Sequence, residues 1–387
     1  MSDVSTVVVV GSGVSGMSSA MTLAKAGVPV KVLEEHDTIG FPCHCGGVVS
    51  TDYSEKIGIP TPSSLELNEL YGFRFTDGAK EIVVRSGHPV AKVISRERFD
   101  EHLGKLCEER GVQLIKSKKV VSIRGIDHPT LVDESARMHS ARYAVLAGGI
   151  ADDLGYQLGF TRDNSHLLIS AQCTAKRRAD PTVASIYLSE GISPDFFGYV
   201  VPIDEGLCRI GVASRRADVL NSVNLIAKKE RAELSGRPNL WGIWTGGPIS
   251  RRRKGNVLVV GDEAGMSKAT TGGGIVFGAL SGVVAAETII QDLKGDATKA
   301  TKASEALVFQ LRKIRGIRKL LDALGPQLAM EAMLSVTTND RMVRYLETAD
   351  FDFHGDLTRI LQNVTLNASL LPISIRVIRH LITGLFK

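Results

Sequence analysis

Six residues near the N-terminus constrain this chain more than any other feature: Gly11-Ser-Gly13-Val-Ser15-Gly16. They follow an apolar, β-branched run, Thr6–Val10, that reads as a buried parallel strand. They open a helical stretch reaching about Gly27. Pro29–Leu33 then reads as a second strand, ending at an acid, Glu34. In that setting the glycines have separate roles. Gly11 permits the tight turn, Gly13 lets the backbone approach a pyrophosphate, and Gly16 lets helix and strand pack closely, with the phosphate at the helix N-terminus. Glu34 is placed to accept ribose hydroxyls. The opening 35 residues are therefore one βαβ unit of an α/β dinucleotide-binding fold, with Gly11, Gly13, Ser15, Gly16 and Glu34 as its candidate contacts.

A second motif stands far down the chain. Val257–Val260 is another buried strand and ends in Gly261-Asp262; Thr270-Thr-Gly272-Gly273-Gly274-Ile275 follows at a helix start. Bare amides at such a start suit carbonyl or phosphate oxygens. The strand resembles the ribityl-binding strand of hydroxylase-type flavoproteins. That resemblance implies FAD as the cofactor, held by Asp262 and by Gly273, Gly274 and Ile275. It also implies a flavin-side role for Arg96 in Ser95-Arg96-Glu-Arg98-Phe99-Asp100, with Arg98 as the rival, and places Val120 on the strand that reads adenine. Tyr143-Ala-Val-Leu-Ala147-Gly148-Gly149 resembles a strand that ends in Ala-Asp-Gly in those enzymes; here Gly148 stands in place of the Asp.

Between the two motifs the pattern changes. Residues 161–250 alternate apolar and polar positions and hold both Trp, which suits an antiparallel sheet. The expected organisation is an FAD-binding domain made of residues 1–160 plus 251–300, interrupted by an antiparallel substrate sheet at 161–250. A helical region follows at 301–387. Short strands are expected around 71–75 and 81–85, and a helix over Arg98–Arg110.

The third motif is Gly40-Phe-Pro42-Cys43-His44-Cys45-Gly46-Gly47-Val48-Val49-Ser50. It resembles the Cys-Gly-Gly loop of the geranylgeranyl reductase family, which runs under the flavin. Pro194-Asp-Phe-Phe197-Gly-Tyr199-Val-Val201-Pro202 keeps the spacing of that family's Pro-x-x-Tyr-x-Trp-x-Phe-Pro pattern, with Phe197 and Tyr199 as its aromatics and Val201 in place of Phe. Trp244-Thr-Gly246-Gly247-Pro248 is a looser match. The resemblance covers about residues 6–285, and by length and a basic tail is nearer the archaeal digeranylgeranylglycerophospholipid reductases. It implies contacts from Cys45, Gly46 and Val48 to the flavin, a catalytic Cys45, and a substrate slot walled by Phe197 and Tyr199. Read from the residues alone, Cys43 and Cys45 lack the second Cys/His cluster that zinc requires, so no metal is expected.

Five Cys and a net charge of +5 bound the remaining classes. The odd, sparse thiols do not make a disulfide framework, and the charge is too small to argue for nucleic acid. No signal peptide and no apolar stretch of membrane-spanning length are expected. Residues 372–387 pattern as a basic amphipathic helix, with Arg376, Arg379 and Lys387 opposite Ile375, Ile378 and Phe386. Such a helix suits the inner face of an anionic membrane, as does the basic run Leu311–Leu321; the equal alternative for both is packing on the sheet domain with their cations toward water. The expectation is a cytoplasmic, peripherally associated FAD enzyme that saturates geranylgeranyl chains of an isoprenoid lipid. NADPH, ferredoxin and a reduced quinone all stand open as electron donor. The rival readings are an FAD monooxygenase or halogenase, and an electron carrier without a substrate.

Overall fold

The computed structural model describes residues 5–295, 298–336, 344 and 349–354. Ser5–Val10 lies at the centre of the first sheet, between Val30–Leu33 and Met138–Leu146, parallel to both. Gln113–Ile115 and Val257–Val259 extend the parallel order on either side. A strand covered on both faces must be apolar throughout, and Val7 to Val10 are all buried. The sheet therefore draws its neighbours from both ends of the chain, as the two separated motifs require. An antiparallel meander, Val120–Arg124 and Thr130–Asp133, is laid onto the first half of Met138–Leu146.

Helix Val14–Lys25 packs on Ile275–Lys294, and Gly282 allows the approach: a Cβ there would stand 2.0 Å from the Ser15 carbonyl. This second helix corrects one expectation. By length and composition it is apolar enough to cross a membrane, but 56% of its apolar window is buried inside the protein. Helix Arg96–Glu109 starts two residues earlier than the sequence pattern suggests, because the Ser95 hydroxyl caps it by accepting from the Arg98 amide at 3.3 Å.

The second sheet runs in the order 233–234, 167–176, 207–214, 198–202, 183–187, 72–76, 81–85, with Asn239–Trp244 also paired to Leu167–Lys176. It is antiparallel except where Val183–Tyr187 pairs in parallel with Gly72–Thr76. The hairpin at 72–85, assigned from sequence to the FAD-binding segment, thus belongs to this sheet, and the span 161–250 does not contain all of it. A small sheet of Val48–Val49, Glu66–Leu70 and Ala91–Ile94 joins the two layers.

Thr298–Val336 is helical with a break at Gly325 (φ 69°, ψ 171°), just before Pro326. Its inner face, Leu307, Val308, Leu311 and Ile314, enters the core beneath the first sheet. Arg312 and Lys319 are exposed on its outer face, as is Phe309 at 58%. The basic tail at 372–387 lies outside the described residues.

Candidate functional site

The glycine turn is shaped for a bound phosphate group. A Cβ on Gly11 would stand 2.4 Å from the Ala147 carbonyl, and one on Gly16 would stand 2.1 Å from that of Gly11. Those positions are closed by the protein itself. Gly13 differs: a Cβ there would meet nothing within 4 Å, so its outer side is open at the start of the helix. Ser15 sits in the first helical turn with its hydroxyl toward Gly261, against the second motif. Its amide remains among those a helix start cannot pair internally.

Glu34 closes the second strand. One carboxylate oxygen accepts from the Ser12 amide and hydroxyl at 2.7 and 2.6 Å, the other from the His36 amide at 2.9 Å. Burial pushes this carboxyl up, but the hydrogen bonds from Ser12 and His36 more than offset it and leave it below its ordinary value. It is an anionic acceptor at the end of the strand, where a ribose would need one. Val120 is buried at the start of its strand, packed with Val10 and Leu33. An open phosphate turn, an anionic acceptor and a bare helix start fit FAD.

At the far end of this cradle, Asp262 occupies a short 3-10 turn, Gly261–Ala264. A Cβ on Gly274 would stand 2.8 Å from the Asp262 carboxylate, and one on Gly273 would stand 2.6 Å from the Lys268 side chain. Gly274 caps the helix that Ile275 begins. Burial pushes the Asp262 carboxyl up; the cations of Arg96 and Arg162 pull it partly back. Arg96 grips Asp100 through two hydrogen bonds, at 3.1 and 2.8 Å. Its charge also reaches Cys43 and Cys45. Arg98 points instead to the exposed side.

Cys45 and Gly46 meet the second sheet. A Cβ on Gly46 would lie 3.7 Å from the Tyr199 ring. The Cys45 sulfur accepts from the Gly47 amide at 3.3 Å. Val48 pairs with Val93 in the small sheet and leads the loop away. Tyr199 lies 6.4 Å from Phe197, which stacks on Phe196 at 4.3 Å. The Tyr199 hydroxyl donates to Gln172 at 2.6 Å, and burial pushes it well above its ordinary value, so it holds its proton. Burial also pushes the Cys43 thiol up, to about 11. His44 stacks on Trp241 at 5.4 Å. The structure thus gathers Arg96, Asp262, Cys45, Gly46 and Tyr199 in one region, with Glu34, Val120 and the first glycine turn at the other end of the cradle.

Sequence reading missed several polar residues here. Arg209, 7% exposed, donates to the Gly46 carbonyl at 2.8 Å; its signal was a lone cation in an otherwise apolar strand. Glu263 is buried and accepts from the amides of Gly148 and Gly155 at 3.0 and 3.2 Å. A Cβ on Gly148 would fall 1.7 Å from the Asp152 carboxylate. Asp152 therefore fills the space left by the Asp-to-Gly departure. Burial, reinforced by Asp152, pushes the Glu263 carboxyl up to about 8.

Residues 349–354 form a strap across this region. Asp352 accepts from Lys268 at 2.7 Å and from the Ser50 amide at 3.0 Å. Phe351 stacks on Phe73, and the Lys268 ammonium lies 4.3 Å from the Phe351 ring centroid. His354 meets the Thr270 hydroxyl at 2.7 Å. The strap joins the Cys-loop exit to the glycine loop of the second motif. No local sequence pattern announces it.

Comparison with known proteins agrees with this reading. A family profile described as an NAD(P)-binding Rossmann-like domain matches residues 9–61. Digeranylgeranylglycerophospholipid reductase 1 of Methanopyrus kandleri is 25% identical over 369 residues, spanning 87% of this chain and 96% of the relative. The digeranylgeranylglycerophospholipid reductase of Thermoplasma acidophilum is 26% identical, spanning 87% and 90%. Among solved structures, a geranylgeranyl bacteriochlorophyll reductase-like protein of T. acidophilum superposes with a TM-score of 0.77 at 18% identity, covering 92% of this chain and 98% of that one. The flavin-dependent brominase Bmp2 superposes at 0.69 with 17% identity, covering 92% and 99%. The resemblance first carried by the Cys-Gly-Gly loop therefore extends over most of the chain, and the fold is that of the FAD-dependent hydroxylase-like flavoproteins.

Proposed function

We propose that this FAD-dependent oxidoreductase saturates carbon–carbon double bonds in the geranylgeranyl chains of archaeal-type membrane lipids. The observation that carries the reading is the meeting of the Cys45–Gly47 turn with the aromatic face of the second sheet, beside Arg96 and Asp262. The names of the relatives supply the substrate class. Gly11, Gly13, Gly16 and Glu34 would hold the adenosine and pyrophosphate end of FAD, with Ser15 and Val120 beside them. Asp262, Gly273, Gly274, Ile275 and Arg96 would hold the ribityl and flavin end, with Cys45, Gly46 and Val48 passing along it. When bound and reduced by an electron donor, the flavin would supply a hydride to one alkene carbon and return to its oxidised form.

The other carbon needs a proton, and in this reading Cys45 holds one at its sulfur. Negative charge left on that sulfur is met by the Gly47 amide and the nearby Arg96 cation. Water then restores the proton. Tyr199 is a poor donor, because burial holds its hydroxyl protonated and Gln172 already takes its hydrogen bond. An isolated alkene offers no charge to grip, so the rate must come from positioning the chain in a dry slot. Phe196, Phe197 and Tyr199 provide an apolar wall for it. A lipid substrate also favours working at the membrane's inner face, which the exposed Phe309, Arg312 and Lys319 suit.

The test is anaerobic. Pre-reduced protein is mixed with a digeranylgeranylglyceryl lipid, and flavin reoxidation is followed together with the lipid's mass. Reoxidation with stoichiometric gain of hydrogen by the chain is expected. Reoxidation only when oxygen is admitted, with an oxygenated or halogenated product, would replace this reading with the monooxygenase or halogenase.

A further inference from the structure

Four residues on adjacent strands of the second sheet share one face. Gln172 and Tyr199 both stand opposite Gly211, on strands either side of it. Arg209, two residues before Gly211, points the same way, since side chains on one strand repeat with period two. Gly211 is what lets the row close: a Cβ there would stand 2.3 Å from the Tyr199 hydroxyl. The ring lies across the glycine and reaches Gln172.

That face grips the Cys loop at consecutive residues. The Gln172 amide nitrogen donates to the Cys45 carbonyl at 3.4 Å, while its oxygen accepts from Tyr199 at 2.6 Å. The tyrosine thereby fixes which way the amide points. One Arg209 nitrogen donates to the Gly46 carbonyl at 2.8 Å and to Ile94 at 3.4 Å. Gly47 adopts φ 72°, and a Cβ there would lie 2.4 Å from the Ile94 carbonyl and 2.6 Å from the same Arg209 nitrogen. The Gly47 amide in turn donates to the Cys45 sulfur at 3.3 Å. Burying a guanidinium among backbone carbonyls is a costly way to stabilise a protein and a good way to fix one loop geometry.

We propose that Gln172 and Arg209 are positioning residues for Cys45, clamping the Cys45–Gly47 turn from the second sheet so that the thiol faces the aromatic wall. This rests on the reading of Cys45 as the proton donor, but the clamp itself is testable without substrate. In FAD-loaded protein, the rate of Cys45 alkylation by iodoacetamide is followed by peptide mass mapping. Gln172→Leu should raise that rate at least about fivefold, the effect of losing one net hydrogen bond, and Arg209→Met should raise it further. Arg209→Lys keeps a donor and should return the rate toward that of the wild type, which a general loosening of the sheet would not do. With substrate, kcat should fall in the two disruptive variants with KM little changed. Unchanged alkylation in variants that retain their FAD absorbance would overturn the clamp. If Arg209→Met fails to fold, Gln172→Leu decides alone. Faster alkylation with undiminished chain reduction would uphold the clamp and remove Cys45 from the chemistry.

Discussion

His354 makes the strap sensitive to mild acid. Its Nδ1 lies 3.1 Å from the Phe351 carbonyl and its Nε2 lies 2.7 Å from the Thr270 hydroxyl. Both contacts are satisfied by neutral imidazole, with Nδ1–H donating and Nε2 accepting. Burial, and then the Lys268 cation, push this histidine down to about 4. In a released strap it would titrate near its ordinary value of about 6.5. Above that value both states are neutral and the strap keeps its full stability. As pH falls toward 4, the released form takes up a proton that the docked form refuses, so docking weakens throughout that window. Each tenfold in proton affinity is worth about 1.4 kcal/mol, so the whole window amounts to about 3 kcal/mol. Asp352 adds little there: Lys268 and Ser50 outweigh its burial and hold its carboxyl below the ordinary range, so its contribution is lost only in stronger acid. The assay is hydrogen exchange in the peptide covering residues 349–354, at pH 7, 6, 5 and 4, with intrinsic exchange rates divided out. Protection should fall steadily across the series in the wild type and stay nearly level in His354→Gln. An equal slope in both proteins would refute the assignment to His354, and a flat wild-type profile would refute the linkage.

Other outcomes follow from the cradle and the Cys loop. Gly13→Val should fill the one open glycine of the first turn and give colourless protein that unfolds near the temperature of FAD-stripped wild type; full flavin occupancy would remove that turn from the cofactor site. Asp262→Ala should weaken FAD by about 1.5–3 kcal/mol, read as its dissociation constant by fluorescence. Gly47→Ala should lower stability by at least about 1–2 kcal/mol in denaturant melts, since φ is 72° and the Ile94 carbonyl blocks the new methyl. Cys45→Ala should retain FAD and slow single-turnover chain reduction at least about tenfold; wild-type rates would leave water as the donor.

What the sequence made legible is local. Gly11, Gly13, Gly16 and Glu34 lie within a single βαβ unit, so their spacing alone carries their geometry. The same holds for Asp262 and the glycines at 272–274. Cys45 and Tyr199 were legible only through their flanking residues, because the family pattern names both ends of a contact that no spacing reveals. Arg209, Gln172 and the strap were hidden for a related reason. Each acts across more than 80 residues of chain, Arg209 and Gln172 through strand register that period-two alternation leaves free, and the strap through side-chain contacts outside any strand. Asp152 and Glu263 were hidden because a lost side chain at Gly148 reads as a lost function, whereas the space and the hydrogen bond were taken up by residues 4 and 115 positions away.

The interleaving of the two sheets also bears on how the chain is made. Gly72–Thr76 pairs in parallel with Val183–Tyr187, and Met138–Leu146 waits for Val257–Val259 to complete the sheet that Ser5–Val10 begins. On the ribosome, neither sheet closes on the residues already released at its first strand. The hairpin at 72–85 leaves the exit tunnel with no partner on one edge until some hundred residues later, and the dinucleotide sheet keeps an open edge until the second motif emerges. Nascent chains halted before residue 257 should therefore fail to retain FAD even though they carry the complete first glycine turn. Both sheets thus present exposed strand edges during the interval between their first strands and the second motif.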